Sequence, residues 1–127
     1  MAKVLGIGGI FFKSPDPARL QGWYTKWLGI DAQNEQGMSF AIFQPDMMPE
    51  NAYTLWSTFD SKSDYFAPSG KEFMVNLIVD HLEKALSQVT AGGAQVLGDI
   101  EKSEYGSFGW FIDPDGNKVE LWQPPES

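Results

Sequence analysis

Side chains able to do chemistry are sparse in this chain. It has one histidine, His81, and no cysteine, which removes thiolate metal sites, disulfides and a cysteine nucleophile. No Ser-His-Asp relay can be argued around a histidine that opens a helix, and His81 reads as an exposed first-turn residue. The acid of most interest is Glu120, in the run Lys118-Val119-Glu120-Leu121-Trp122. Strand alternation sends Val119 and Leu121 to one face and Lys118, Glu120 and Trp122 to the other. A carboxylate desolvated among Trp122, Trp56 and Met74 is a candidate general base. The same Glu120 on a wet surface would form only a weak pair with Lys118. A second alternating run, Glu72 to Val79, puts Val75, Leu77 and Val79 on one face and Glu72, Met74, Asn76 and Ile78 on the other. Asn76 could orient a ligand by hydrogen bonds. Aromatic and aliphatic bodies with a few polar groups describe a ligand cavity. A solvated sheet face gives the same alternation with fewer large apolar groups.

The elements that must hold these residues can be read along the chain. Val4 to Lys13 is apolar and β-branched, closed by a Pro/Asp cluster, and predicts a strand. Its start superficially resembles a signal peptide, but the apolar stretch is short, holds glycines and lacks a small-residue cleavage site. Asp16-Pro17 predicts a helix start, with Leu20, Trp23, Tyr24, Trp27 and Leu28 as its apolar face and Gly29 as its stop. Strands are expected over Met38 to Gln44 and Ala52 to Thr58. Phe59 to Lys71 is a linker. Asp80, with Glu83 three residues on, predicts a capping box for a second helix through Leu82, Leu86 and Val89, stopped by Gly92-Gly93. Gln95 to Leu97 is expected as a short strand, followed by strands Ser107 to Ile112 and Lys118 to Gln123 around the turn Asp113-Pro114-Asp115-Gly116-Asn117.

Strand, helix and three strands thus occur twice. Ser39-Phe40-Ala41-Ile42-Phe43 before Pro45-Asp46 echoes Ser107-Phe108-Gly109-Trp110-Phe111 before Pro114-Asp115, and Thr54-Leu55-Trp56 echoes Glu120-Leu121-Trp122. Two echoes in one order indicate duplication. The expected fold is α+β, two tandem βαβββ modules forming an open, cleft-containing curled sheet: module one 1–58, linker 59–71, module two 72–125.

With 127 residues, the chain has room for one core. Five Trp and nine Phe must line a core, a pocket or an interface. A net charge of −8 argues against nucleic acid and against anionic membranes, and is compatible with a cationic ligand or with a solubility role alone. No stretch reaches the length of a membrane span, and the lack of cysteine fits a reducing compartment, so a cytoplasmic location is the expectation. Gly6-Ile7-Gly8-Gly9 lies in a predicted strand and opens no helix, so it is not a phosphate-binding loop.

The repeat, the Ser14-Pro15-Asp16-Pro17 helix start, the Trp23-Tyr24…Trp27-Leu28-Gly29 helix end and the closing Phe111 to Trp122 hairpin resemble the vicinal oxygen chelate superfamily, which includes glyoxalase I, extradiol dioxygenases and bleomycin-resistance proteins. The resemblance implies two modules curling around a cleft, usually in a homodimer. It also implies four metal-ligand positions, which here read Gly9, Thr54, Met74 and Glu120. Only Glu120 has a ligand side chain, and one carboxylate leaves most of a divalent ion's shell to water. No cofactor is therefore expected, and a divalent metal is disfavoured. Lys13, at even spacing from Gly9, would face the cleft mouth and could hold an anionic group, or be a solvated strand-end lysine. Phe11, Trp56 and Trp122 would supply stacking surface, or simply pack.

Three functions follow as expectations. The first is a protein that binds a small, partly apolar molecule in its cleft without a tightly bound metal. The second is a lyase, isomerase or dioxygenase-like enzyme that uses Glu120 as base or weak metal ligand. The third is a dimeric drug-sequestering resistance protein.

Overall fold

The computed structural model of the chain describes residues 1–35 and 37–126. Helix α1, Pro17–Leu28, begins where the Asp16 carboxylate accepts the Arg19 amide at 3.2 Å and ends at Gly29 with φ 68°. Both boundaries are those set by Asp-Pro and Gly. A small antiparallel hairpin follows, β1 (Ala32–Glu35) with β2 (Met38–Ala41). Strand β1 carries polar residues and is largely exposed, so no apolar alternation marks it. Strand β2 is shorter than expected, because the chain turns into a single 3-10 turn at Pro45–Met47.

A strand, a helix and three further strands follow in the second half of the chain. Strand β3 (Val75–Ile78) leads to helix α2 (Leu82–Ala91), and then come β4 (Gln95–Ser103), β5 (Gly106–Ile112) and β6 (Lys118–Gln123). The sheet order is β3-β6-β5-β4, with β3 parallel to β6 and the other pairs antiparallel. Strand β4 runs six residues further than expected. Gly98, at φ 66°, lies inside a register shift between Leu97 and Glu101 that carries pairing past the apparent stop. Together the two helices and the open sheets of two and four strands make an α+β curled-sheet fold.

Two expected strands of module one are not formed. Among the described residues, neither Val4 to Lys13 nor Ala52 to Thr58 has a ladder partner, and their large apolar side chains are exposed. β-branched composition favours a strand only where a neighbour supplies hydrogen bonds and a face to cover. Strand β3 also begins three residues later than Glu72. The second helix is capped by His81, not Asp80: its Nδ1 accepts the Lys84 amide at 3.3 Å. Asp80 lies one residue too far back for that bond.

The core is assembled from both halves. Leu20 and Tyr24 of α1 pack with Leu82, Ala85 and Val89 of α2 and with Phe111, Val119 and Leu121 of the sheet. Gly109 lets α2 approach, since a Cβ there would come within 2.9 Å of Leu86. Three polar ties fix α1 in place, one of them the Gln88 side-chain amide donating to the Trp27 carbonyl at 2.7 Å. The Trp23 indole donates to the Gly92 carbonyl at 2.9 Å, and the Tyr24 hydroxyl donates to the Asp113 carboxylate at 2.8 Å. That carboxylate also accepts the Asp115 and Asn117 amides and the Asn117 side chain, each at 2.9 Å, which closes the β5–β6 turn. Burial, followed by the Asp113 charge, holds the Tyr24 phenol well above the usual tyrosine range.

Candidate functional site

The sheet face turned away from the helices carries the candidate site. The β3–β6 and β5–β6 registers place Asn76, Glu120 and Trp110 directly opposite one another across three strands. The next row toward the strand end pairs Phe108 with Trp122, their rings 6.3 Å apart and 9° from parallel. Alternation in β5 sends Phe111 into the core and Trp110 to this face.

Glu120 is 8% exposed and fully engaged. Its Oε1 accepts from the Asn76 amide at 2.7 Å. Its Oε2 accepts from the Trp110 indole at 2.8 Å and from the Tyr65 hydroxyl. Burial, then the hydrogen bond and charge of Glu120, holds the Tyr65 phenol above its ordinary range. Lys118 lies beside this group. Its ammonium donates to the Tyr65 carbonyl at 2.6 Å and is 5.2 Å from the Tyr65 ring centre and 5.9 Å from that of Trp110. Lys118 and Glu120 therefore share a face and both engage Tyr65 and Trp110, each through different groups of those residues.

Among the expected site residues, Glu120, Asn76, Lys118 and Trp122 come together on this face. Trp122 meets Tyr53 at 4.9 Å, and its indole donates to the Tyr105 carbonyl at 2.7 Å. Met74 lies half-buried just ahead of β3. Phe11, Trp56 and Lys13 are not gathered: Phe11 is 97% and Trp56 81% exposed, and Lys13 is exposed. Trp110 and Tyr65 are the residues that sequence reasoning missed. Alternation through Phe108, Trp110 and Ile112 could have found Trp110. Nothing in the local pattern marks Tyr65, which reaches the site from the linker, 55 positions before Glu120.

The chemistry of the donor set bears on metal binding. The groups nearest Glu120 are N–H and O–H donors, which satisfy a carboxylate but do not coordinate a cation as they stand. Among the described residues, no group of three or more His, Cys, Asp or Glu is placed to hold a metal ion. These residues do not fit the metal centre that the superfamily's enzymes carry. His81, at its helix cap, is exposed and belongs to no such group.

Two surface grooves lie away from this face. One, of about 490 Å³, runs between the C-terminal half of α1 and Gly92 to Ala94, and the other is lined by 49–51, 79–80 and 123–126. Neither contains the convergent polar groups found at Glu120. Among the described residues no helix is long and apolar enough to cross a membrane.

Comparison with known proteins agrees with this architecture. Residues 9–122 match the model of the Glyoxalase-like domain, and the chain belongs to that family. Three solved structures share the fold. One is TnmS3, an antibiotic binding protein from Streptomyces sp. CB03234, with 19% identity, 87% of this chain and 88% of that one covered, and a TM-score of 0.52. Another is TioX from Micromonospora sp. ML1, with 16% identity, 88% and 93% covered, and a TM-score of 0.53. A third is a member of the glyoxalase/bleomycin resistance protein/dioxygenase superfamily from Sphaerobacter thermophilus DSM 20745, with 18% identity, 85% and 88% covered, and a TM-score of 0.52. No curated protein matches the chain.

Proposed function

We propose that this glyoxalase/bleomycin-resistance-like protein binds a small, partly apolar molecule on the Glu120 face and does so without a tightly bound metal. The observation that carries this reading is a buried carboxylate fixed by two sheet residues, Asn76 and Trp110, within a field of Trp, Phe and Tyr rings. Such a surface desolvates an apolar ligand and offers one acceptor to orient it. A binding role is favoured over general-base catalysis because Asn76, Trp110 and Tyr65 already donate to Glu120, so a ligand reaches the carboxylate by replacing one of them. A base needs a lone pair directed at the substrate. The antibiotic binding described for TnmS3 suggests which ligands to try first, although its likeness to this chain is one of fold.

A homodimer is part of the same proposal. The repeat gives the reason: Leu121 and Trp122 are 0% and 5% exposed, while their counterparts Leu55 and Trp56 are 71% and 81% exposed. Residues of the same type at equivalent positions are covered in one half and bare in the other. A second copy of the chain supplies a surface of matching character, and a cleft walled by both copies follows.

Titration of intrinsic tryptophan fluorescence with a panel of small aromatic and antibiotic compounds tests the binding reading. Saturable quenching that Trp122→Ala weakens is expected. Metal analysis of protein purified without chelator should find well under one divalent ion per chain, and stoichiometric metal would favour the enzyme instead. Sedimentation velocity should give twice the mass of one chain, and a monomer at high micromolar concentration would remove the dimer.

A further inference from the structure

The three donors on Glu120 are not equivalent. Trp110 and Asn76 are strand residues in register with Glu120, so their backbones stay beside it for as long as β5 and β3 hold. Tyr65 comes from a segment with no helix or strand of its own. Its ring is exposed along one side, lies edge-on to Trp110 at 6.3 Å and 82°, and rests against Phe59 at 5.4 Å. Two hydrogen bonds tie Tyr65 to the face: its hydroxyl donates to Glu120 and its carbonyl accepts from Lys118.

We infer that Tyr65 is an in-chain stand-in for the ligand, and that the Glu120 site takes a neutral aromatic molecule bearing a hydroxyl group. This rests on the proposed small-molecule role of that face and names the ligand class. The permanent parts of the site are complementary to a phenol, piece by piece. Glu120 Oε2 has a place for one O–H donor beside the Trp110 N–H. Trp110 presents its ring for an edge-to-face partner. Lys118 hangs over the ring position and favours an electron-rich, uncharged aromatic face. The same ammonium disfavours an aromatic ammonium ligand, and the carboxylate disfavours a phenolate or carboxylate ligand. A ligand of this class takes the place of Tyr65 and releases the 59–66 segment from the sheet.

Two experiments on the full-length protein test this with 4-methylphenol, which has the shape of the tyrosine side chain, and 4-methylanisole, which lacks the donor. In Tyr65→Ala, affinity for 4-methylphenol should rise about tenfold or more. That is the penalty expected if the strap vacates the site in no more than about one molecule in ten. Affinity for 4-methylanisole should stay at least about tenfold weaker than for 4-methylphenol, because the carboxylate gains no donor. In the unaltered protein, saturating 4-methylphenol should shift the Trp110 indole N–H resonance and raise proteolytic cleavage within 59–66. This second arm stands even if Tyr65→Ala folds poorly. Equal affinities of Tyr65→Ala for the two compounds, no gain in 4-methylphenol affinity in a folded Tyr65→Ala, or an unmoved Trp110 resonance would each overturn the inference. If those outcomes arise while other compounds still quench fluorescence saturably, the phenol assignment fails and the binding role stands. If no compound binds any form, both fail.

Discussion

In Glu120→Ala, three donors lose the acceptor they share, and their surroundings set what each loss costs. The Trp110 indole is buried and loses its 2.8 Å acceptor, so it carries an unsatisfied-donor penalty of up to about 1–3 kcal/mol. Asn76 and Tyr65 are exposed enough to turn to water, and each loses only the small net value of its bond. Removing the carboxylate also returns part of its own desolvation cost. The expected net destabilisation is about 1–3 kcal/mol, a large share of the ~5–15 kcal/mol typical of a folded domain. Urea unfolding followed by tryptophan fluorescence reads this directly. With a slope of about 1–3 kcal/mol per molar for a small protein, the midpoint should fall by about 1 M. Glu120→Gln keeps shape and one acceptor, so it should lose roughly half as much, mainly the charge assistance. A cycle with Tyr65→Phe should reveal coupling above about 0.5 kcal/mol, because the two groups touch. If Glu120→Ala unfolds within about 0.5 kcal/mol of the parent and the cycle shows no coupling, the carboxylate is not the anchor of this face.

Other perturbations probe the frame that holds the site. Tyr24→Phe removes the 2.8 Å bond to Asp113 and should cost about 1.5–3 kcal/mol at neutral pH, measured by urea midpoint. Because folding holds the Tyr24 proton more tightly than the unfolded chain does, the parent should lose stability as pH rises above about 10, and Tyr24→Phe should lose less over the same interval. Gly106→Ala combines φ 112° with a Cβ driven into the Gln123 carbonyl oxygen, and should lower the thermal midpoint by several degrees, about 1–3 kcal/mol, in calorimetry. Leu121→Ala empties a fully buried position under α2 and should cost about 2–5 kcal/mol in the same urea assay.

Legibility in the sequence followed the range of the interactions. The limits of α1, the β5–β6 turn and the two faces of β6 depend on local chemistry: Asp-Pro capping, Asp and Asn accepting nearby amides, strict alternation. Those could be read directly. Val4 to Lys13 and Ala52 to Thr58 have the composition of strands but lack the partner that makes a strand, and composition cannot say whether one is present. The cap at His81 instead of Asp80 differs by one residue, because either side chain can accept a first-turn amide and backbone direction decides. Asn76 and Lys118 were found because they share a face with Glu120. Tyr65 was not, since a linker residue reaches a sheet through the path of the loop, and no period in the sequence encodes that path.

The Tyr24–Asp113 bond has a consequence for how the two halves of the chain depend on each other. Leu20 and Tyr24 enter a core otherwise built from residues after position 74, and the phenol docks on the turn between the last two strands. The first half thus lends its helix to finish the second. A polypeptide severed near residue 60 would give one piece with an uncovered apolar crevice and another with an amphipathic segment shaped to fill it. The two pieces should recombine into a working whole, as complementing fragments do, instead of folding apart.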